Sequence, residues 1–274
     1  MTSNSPTPET IWHYTTAHGL RVILKSKAFF ATATPYLNDS QELTFGKRQI
    51  RAAGQVLVDK LGGKTEDDDR PAGGWNLWAT LNSPPSSQED EDPWEVPSTY
   101  TTSFSSEGDM LSQWRAYGGE RGFAIGVDLR KFESSIPSHL SPKISGVRYG
   151  MAGQNLLTEE MEKRLVTHKG SRDLDANGIS ELLEFLAQIK HPAFKEEKEV
   201  RLQVSNPPRK EIKARVRGDS FVTYVEVPFD PSAVTHVRVG PGRMPHQTRA
   251  VTQMLADLSY RRVRVDESEA PYRA

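Results

Sequence analysis

Apolar and polar residues follow two rhythms along this chain, and the rhythms predict a mixed series of strands and helices. Ile11 to Thr15 holds Ile, Trp, Tyr and Thr, residues that favour a pleated backbone, and predicts a first strand. Leu20, Ile23 and Leu24 then recur at helical spacing behind Thr15 or Thr16 as cap, with Lys25 and Lys27 at the negative end. Phe29 to Thr34 predicts a second strand, stopped by Pro35. A turn over Tyr36 to Ser40 leads into a long amphipathic helix from about Gln41 to Leu61, capped by Asp39 or Ser40.

After an irregular stretch, Thr99 to Ser105 predicts a strand. A helix start at Asp109 follows, with Met110, Leu111, Trp114 and Tyr117 as its apolar side and a glycine pair as its end. Arg121 to Leu129 is the clearest buried strand, and a further strand is expected near Ile144 to Tyr149. Helical spacing returns around Leu156 to His168 and Ile179 to Lys190, and Glu197 to Val204 then alternates with the period of a half-buried strand. Val222 to Val227 and Val234 to Val239 predict strands, Pro245 to Leu258 a helix and Arg262 to Val265 a short final strand. This irregular mixture, with several strands in direct succession, fits an α+β fold better than a doubly wound parallel sheet.

Composition adjusts the picture at three points. The segment from Gly62 to about Val96 is acidic and rich in Pro and Gly around Trp75 and Trp78, and reads as a surface insertion in a single domain spanning residues 11 to 274 behind a disordered start. With no cysteine among 274 residues, disulfides, thiol nucleophiles and thiolate metal sites are excluded. The net charge of -1 disfavours a general nucleic-acid coat, although Arg249, Arg261, Arg262, Arg264 and Arg273 gather late in the chain. No apolar run approaches the roughly 20 residues of a membrane span, and the opening MTSNSPTPET lacks a secretory pattern, so a soluble cytoplasmic protein is expected.

Four polar groupings could carry chemistry. His13 lies between Trp12 and Tyr14, and alternation sends it to the face opposite them. There it can accept a proton or bind a ribose hydroxyl, or simply be a satisfied core histidine. Asn38, Asp39 and Glu42 cluster at a helix start, which serves capping or a hard metal ion. From Ser103 to Arg115, Ser105 ends a strand, Gly108 and Asp109 turn the chain, and Gln113, Trp114 and Arg115 follow, a place to hold phosphate and stack a ring. Glu197, Glu199 and Arg201 fall on one strand face by period two, opposite Val200 and Leu202. That row is either cross-strand charge pairing or a pair of carboxylates that divide the labour of catalysis. The chain lacks GxxxxGK[ST], GxGxxG after a strand, HExxH and GxSxG, which disfavours common NTPases, Rossmann dehydrogenases, zincins and α/β-hydrolases.

The blocks IWHYTTAHGLRVILKSKAFFATATPYLNDSQEL, TTSFSSEGDMLSQWRAYGGERGFAIGVDL, HPAFKEEKEVRLQV, and VTHVRVGP with SYRRVRVDESEAPYR resemble the bacterial domain of unknown function 2971 family, from about residue 11 to 273. The opening His-Tyr-Thr strand, the GLxxIL helix and the Asn-Asp turn are more remotely similar to ADP-ribosyltransferases. That resemblance implies a mixed, partly split β-sheet with flanking helices and a cleft for NAD. It implies His13 at the nicotinamide ribose, Tyr14 or Trp114 on the nicotinamide ring, and Glu199 or Glu197 as the supporting carboxylate, with Arg115 or Arg201 at the pyrophosphate. Thr15 and Ser105 complete the expected NAD contacts, and no metal is required. The leading expectation is therefore an NAD-using ADP-ribosyltransferase acting on a macromolecular acceptor, as a toxin or phage-defence effector. Two others stand beside it: a metal-dependent nuclease or phosphodiesterase built from His13, Asp39, Glu42 and Glu199, and a non-catalytic module that binds a nucleotide or a partner.

Overall fold

A computed structural model describes residues 8–36, 52–53, 56, 64–65, 68–71, 99–118, 121–163, 165–168, 171–174, 185, 188–242 and 245–271. Of the helix expected from about Gln41 to Leu61 only Ala52, Ala53 and Val56 are described, and they are helical; the cluster Asn38, Asp39 and Glu42 and most of the acidic insertion lie outside the described residues. The chain divides into two compact units, one of residues 1–33, 99–146 and 195–274, the other of 34–98 and 147–194.

The first unit carries a ten-stranded sheet among the described residues. Its strands are β1 (Thr10–Thr15), β2 (Ala28–Ala33), β3 (Thr99–Ser105), β4 (Phe123–Asp128), β5 (Lys143–Gly146), β6 (Glu199–Ser205), β7 (Ile212–Arg217), β8 (Ser220–Pro228), β9 (Val234–Val239) and β10 (Arg264–Glu267). They run in the order β7-β8-β2-β3-β1-β4-β9-β10, while β6 pairs with β3 and β5. All pairings are antiparallel except β9 with β10, so the fold is α+β with a mixed sheet.

Register reveals a fork at β3. One edge of β3 is covered along its whole length by β6, from Ser105 against Glu199 to Thr99 against Ser205. The other edge is shared: β2 pairs at Tyr100 and Thr101, and β1 pairs at Ser105. Between them, Thr102 to Phe104 meet no strand on that edge among the described residues, and the sheet divides into a β1-β4-β9-β10 branch and a β2-β8-β7 branch.

Cross-strand partners share a face, so the same registers separate two surfaces. One face presents Ile11, Phe29, Ala31, Phe104, Ile125, Val127, Val200, Leu202, Val225 and Val237, all buried in one apolar core. Helix α1 (Ala17–Ser26) lays Leu20, Ile23 and Leu24 on it, α2 (Leu129–Ser135) adds Leu129 and Phe132, and α3 (Gln247–Asp257) adds Val251 and Leu255. Thr16 caps α1 by accepting from the Gly19 amide at 3.2 Å, and Lys27 ends it at φ 54°.

Several elements differ from the sequence reading. The strand expected from Glu197 starts at Glu199, because Pro192–Glu197 form a 3-10 turn and Lys198 adopts φ 44°. Beyond Asp109 only Leu111–Gln113 are α-helical; the chain then widens into a π turn over Trp114–Gly118. The stretch from Ile144 to Tyr149 is two strands, Lys143–Gly146 and Arg148–Tyr149, with Val147 between them. In the second unit the helix runs Met151–Lys163, and the β-branched LVTH that follows is a strand, Leu165–His168, paired with Ser171–Leu174. Ile189–Lys190 pair in parallel with Arg148–Tyr149, where a helix was expected; the rest of that predicted helix falls almost wholly outside the described residues. Strand β7 was not anticipated, although its apolar Ile212, Ala214 and Val216 alternate with Lys213, Arg215 and Arg217.

Candidate functional site

The face opposite the apolar core is polar, yet much of it is shielded from water. Glu199, Arg201 and Gln203 alternate along β6, and Thr101, Ser103 and Ser105 stand opposite them on β3. Glu199 is 5 % exposed and Arg201, Gln203 and Thr101 are each 2 % exposed, values more typical of leucine than of these residue types. Burial of that kind is costly unless the polar groups are paired. Arg201 meets part of the cost: its Nε donates to Glu199 Oε1 at 2.6 Å and its Nη2 to Oε2 at 3.0 Å, a bidentate pair two residues apart on one strand. Among the described residues, three further polar atoms on this face are buried with no hydrogen-bond partner: Thr101 Oγ1, Ser145 Oγ and Arg215 Nε.

His13 occupies the fork from the other side. Its Nδ1 lies 2.9 Å from the Ser103 carbonyl oxygen, on the edge of β3 that no strand covers, and its ring stands edge-on to Phe29 of β2 and Phe104 of β3. A carbonyl only accepts, so Nδ1 carries the proton and Nε2 the lone pair. Burial holds the imidazole below its ordinary pKa against the opposing bond to Ser103, and the charge of Arg215 lowers it further. Ser103 is the only residue of β3 that is not buried, and His13 is also partly exposed, so the fork is where solvent reaches this strand.

The remaining site candidates separate into distinct settings. Ser105, Trp12 and Glu199 form one cross-strand row, with Ser105 in the middle. At roughly 4.8 Å per strand the row brings Glu199 to about 10 Å from β1. The Ser105 hydroxyl donates to the Glu197 carbonyl at 2.8 Å and accepts from the Glu107 amide at 3.1 Å, so it anchors the turn before β6. Glu197 itself is off the strand and off the polar row. Trp114 is fully buried, and its indole N–H donates to Asp109 at 2.8 Å while the ring packs edge-on to Tyr14 at 4.7 Å. Tyr14 accepts from the Met110 amide and donates to the Glu107 carbonyl, and burial pushes its phenol pKa up. Both rings are therefore packing elements on the β1 branch. Arg115 is exposed, and Thr15 closes β1 on the face of His13, where a Cβ on Gly19 would overlap its hydroxyl.

Asp109 organises that branch. It accepts from Trp114, from the Ser268 hydroxyl and from the Glu269 amide, and with nearby Arg238 these bonds outweigh partial burial and hold its carboxyl below the usual range. Arg238 lies 4.9 Å above the Trp12 ring and is held by Asp266 at 2.7 Å, while Gly108 and Gly126 are so close to the same ring that a Cβ on either would overlap it. These contacts account for Gly108 and Asp109 as structural residues.

The structure thus brings Glu199, Arg201 and Ser105 together, sets His13 on the opposite, apolar face at the same fork, and leaves Trp114 and Arg115 elsewhere. Sequence reasoning missed Thr101, Gln203, Ser145 and Arg215. A usable signal existed for the first two: TYTTSFS and EVRLQVS each place polar residues at every second position inside a strongly β-forming run. Among the described residues no three His, Asp or Glu side chains converge as a metal site, and no helix is long and apolar enough to cross a membrane. No curated protein and no solved structure matches the chain. Residues 113–202, which include Trp114, Glu199 and Arg201 but neither His13 nor Arg215, match the family model described as protein of unknown function (DUF2971), the family whose sequence blocks the chain resembles.

Proposed function

We propose that this protein is an ADP-ribosyltransferase-like enzyme that uses NAD as substrate, with its site on the polar side of the fork at β3. The observation that carries this reading is the buried Glu199–Arg201 pair, set two strands from β1 where the sheet divides and His13 borders the gap. The donors on this face suit such a ligand: Thr101 Oγ1 and Ser145 Oγ are buried and unpartnered, as hydroxyls meant for a sugar or phosphate oxygen would be.

In this reading the bond between ribose C1′ and the nicotinamide nitrogen breaks, and its electron pair leaves with neutral nicotinamide. Positive charge develops on the sugar. The Glu199 carboxylate stabilises that charge, and in a site shielded from water such a fixed charge acts strongly. Arg201 fixes the carboxylate plane by holding both oxygens, so little reorganisation is needed as the charge develops. His13 lies on the apolar face with Phe29 and Phe104; committed through Nδ1 to Ser103, it supports the uncovered edge of β3 from behind and does not itself face the ribose. A nucleophile of the macromolecular acceptor, nucleic acid or protein, then bonds to C1′ and gives up its proton to water. A toxin or phage-defence role belongs to the same reading and rests on the sequence resemblance.

The test is nicotinamide release from NAD by the purified protein. Wild type should release nicotinamide, and Glu199→Gln should lower the rate per folded molecule about a hundredfold or more, with thermal melting measured alongside because the change strands the Arg201 charge. An unchanged rate in the variant would overturn the assignment.

A further inference from the structure

Among the described residues, Arg215 is a cation with no paired anion. It leaves β7 on the polar face, where its guanidinium carbon lies 5.3 Å from the Phe30 ring centroid and 5.1 Å from that of Tyr224, with Nη2 donating to Thr32 Oγ1 at 3.0 Å. Its Nε is buried and has no partner. No carboxylate pairs with it among the described residues, although Lys213 on the same strand is paired with Glu226 at 2.8 Å. Burial lowers its pKa, Arg217 adds to the lowering, and its positive charge is felt at His13 across the fork.

Other arginines on this side of the sheet are handled differently. Arg201 has Glu199 and Arg238 has Asp266, each through two hydrogen bonds. The guanidinium of Arg215 lies over two rings that pack on each other, Phe30 and Tyr224, which restricts its freedom to find another partner. The unmet donors also extend along one row. Gln203, Thr101, Thr32, Tyr224 and Lys213 are successive cross-strand neighbours over five strands, so the unpartnered Thr101 hydroxyl stands next to the threonine that Arg215 grips. Two buried donors without acceptors, beside an uncompensated positive charge, are the inverse of an oxyanion.

We infer that Arg215, with Thr101 and Thr32, forms a phosphoryl-binding site on the β2-β8-β7 branch, and that it holds the diphosphate of a dinucleotide whose ribose lies at the fork. The guanidinium supplies the charge and a planar pair of donors, and the threonine hydroxyl supplies a third. The identity of the ligand as a dinucleotide rests on the proposed use of NAD; the phosphoryl site itself rests on the residues of this branch. It places the diphosphate at a residue other than Arg115 or Arg201, since Arg115 is exposed and Arg201 is engaged by Glu199.

The experiment is calorimetric titration of the full chain with ADP-ribose, pyrophosphate and adenosine, for wild type, Arg215→Gln and Arg215→Lys. Arg215→Gln should weaken ADP-ribose and pyrophosphate binding about tenfold or more, Arg215→Lys should fall between, and adenosine should bind all three alike. Because Arg215 is half-buried, each variant is checked by thermal melting, and the Lys variant retains the charge if the Gln variant fails to fold. Equal ADP-ribose affinity in all three proteins would overturn the site, as would wild type binding neither phosphorylated probe at millimolar concentration. Arg215-dependent binding without nicotinamide release would uphold the site and overturn the transferase reading. Nicotinamide release with an unchanged KM for NAD in Arg215→Gln would do the reverse.

Discussion

The two faces of one sheet obey different rules. On the apolar face, Phe29, Phe104, Phe132 and Phe229 meet as a cluster of rings 5.0 to 6.4 Å apart, and every strand branch contributes to the same core. On the other face, side chains a residue away along the same strands are Glu199, Arg201, Gln203, Thr101 and Thr32, all buried. The first pattern follows from burial, which stabilises by about 25 cal/mol per Å² of apolar surface. The second does not. A buried ion pair is about as stable as well-packed apolar residues of the same volume, or less so. Among the described residues, Thr101, Ser145 and Arg215 hold unpartnered buried atoms on this face, as Thr102 and Thr223 do on the apolar one. The buried ion pair is what sets the polar face apart, and it is the face on which we propose a ligand.

The largest effect that would separate the faces is on folding. Phe29→Ala should destabilise the protein by about 3–5 kcal/mol, because the ring contacts His13, Phe104, Phe132 and Phe229. Replacing Glu199 by Leu and Arg201 by Met together should cost little or raise the urea midpoint, whereas Arg201→Met alone should cost about 3–5 kcal/mol by stranding the carboxylate. A double variant as unstable as Phe29→Ala would mean that the polar face is a stabilising element after all.

A smaller effect tests His13, the imidazole that shares the apolar face with Phe29 and Phe104. Burial depresses its pKa in the folded chain, so below the unfolded value of about 6.5 the unfolded chain takes up a proton that the folded chain refuses. Stability should therefore fall as pH drops through that region, by up to about 1.4 kcal/mol per pH unit from this residue. Urea midpoints measured from pH 8 to 5 should decline less in His13→Asn than in wild type. Parallel curves would show that His13 takes up its proton equally in both states.

Alternation made part of this legible in the sequence. It put His13 opposite Trp12 and Tyr14, and it put Glu199 with Arg201 on one side of β6, which the registers bear out. It could not reach the fork, because which strands share an edge of β3 depends on residues some ninety positions apart finding each other, as His13 and Ser103 do. Glu197 was misplaced on the strand because period two carries no sign of the left-handed Lys198 before it. Trp114 stood both as an apolar helix residue and as a candidate for stacking a ring, and the π turn that buries it and the Asp109 carboxylate that takes its N–H, which favour the first, leave no periodic trace. Arg215 was passed over although IKARVR alternates as a strand does, because what distinguishes it, contact with Phe30, Tyr224 and Thr32 on other strands, leaves no mark in its own segment.

Hydrogen exchange of the full chain with and without NAD tests the division of the two faces most directly. The account predicts slowed exchange in β6, in β3 from Thr101 to Ser105, and in the β7–β8 hairpin, with α1 and α3 on the apolar face unchanged. Slowing centred on α1 and α3, or no change anywhere at saturating NAD, would contradict it.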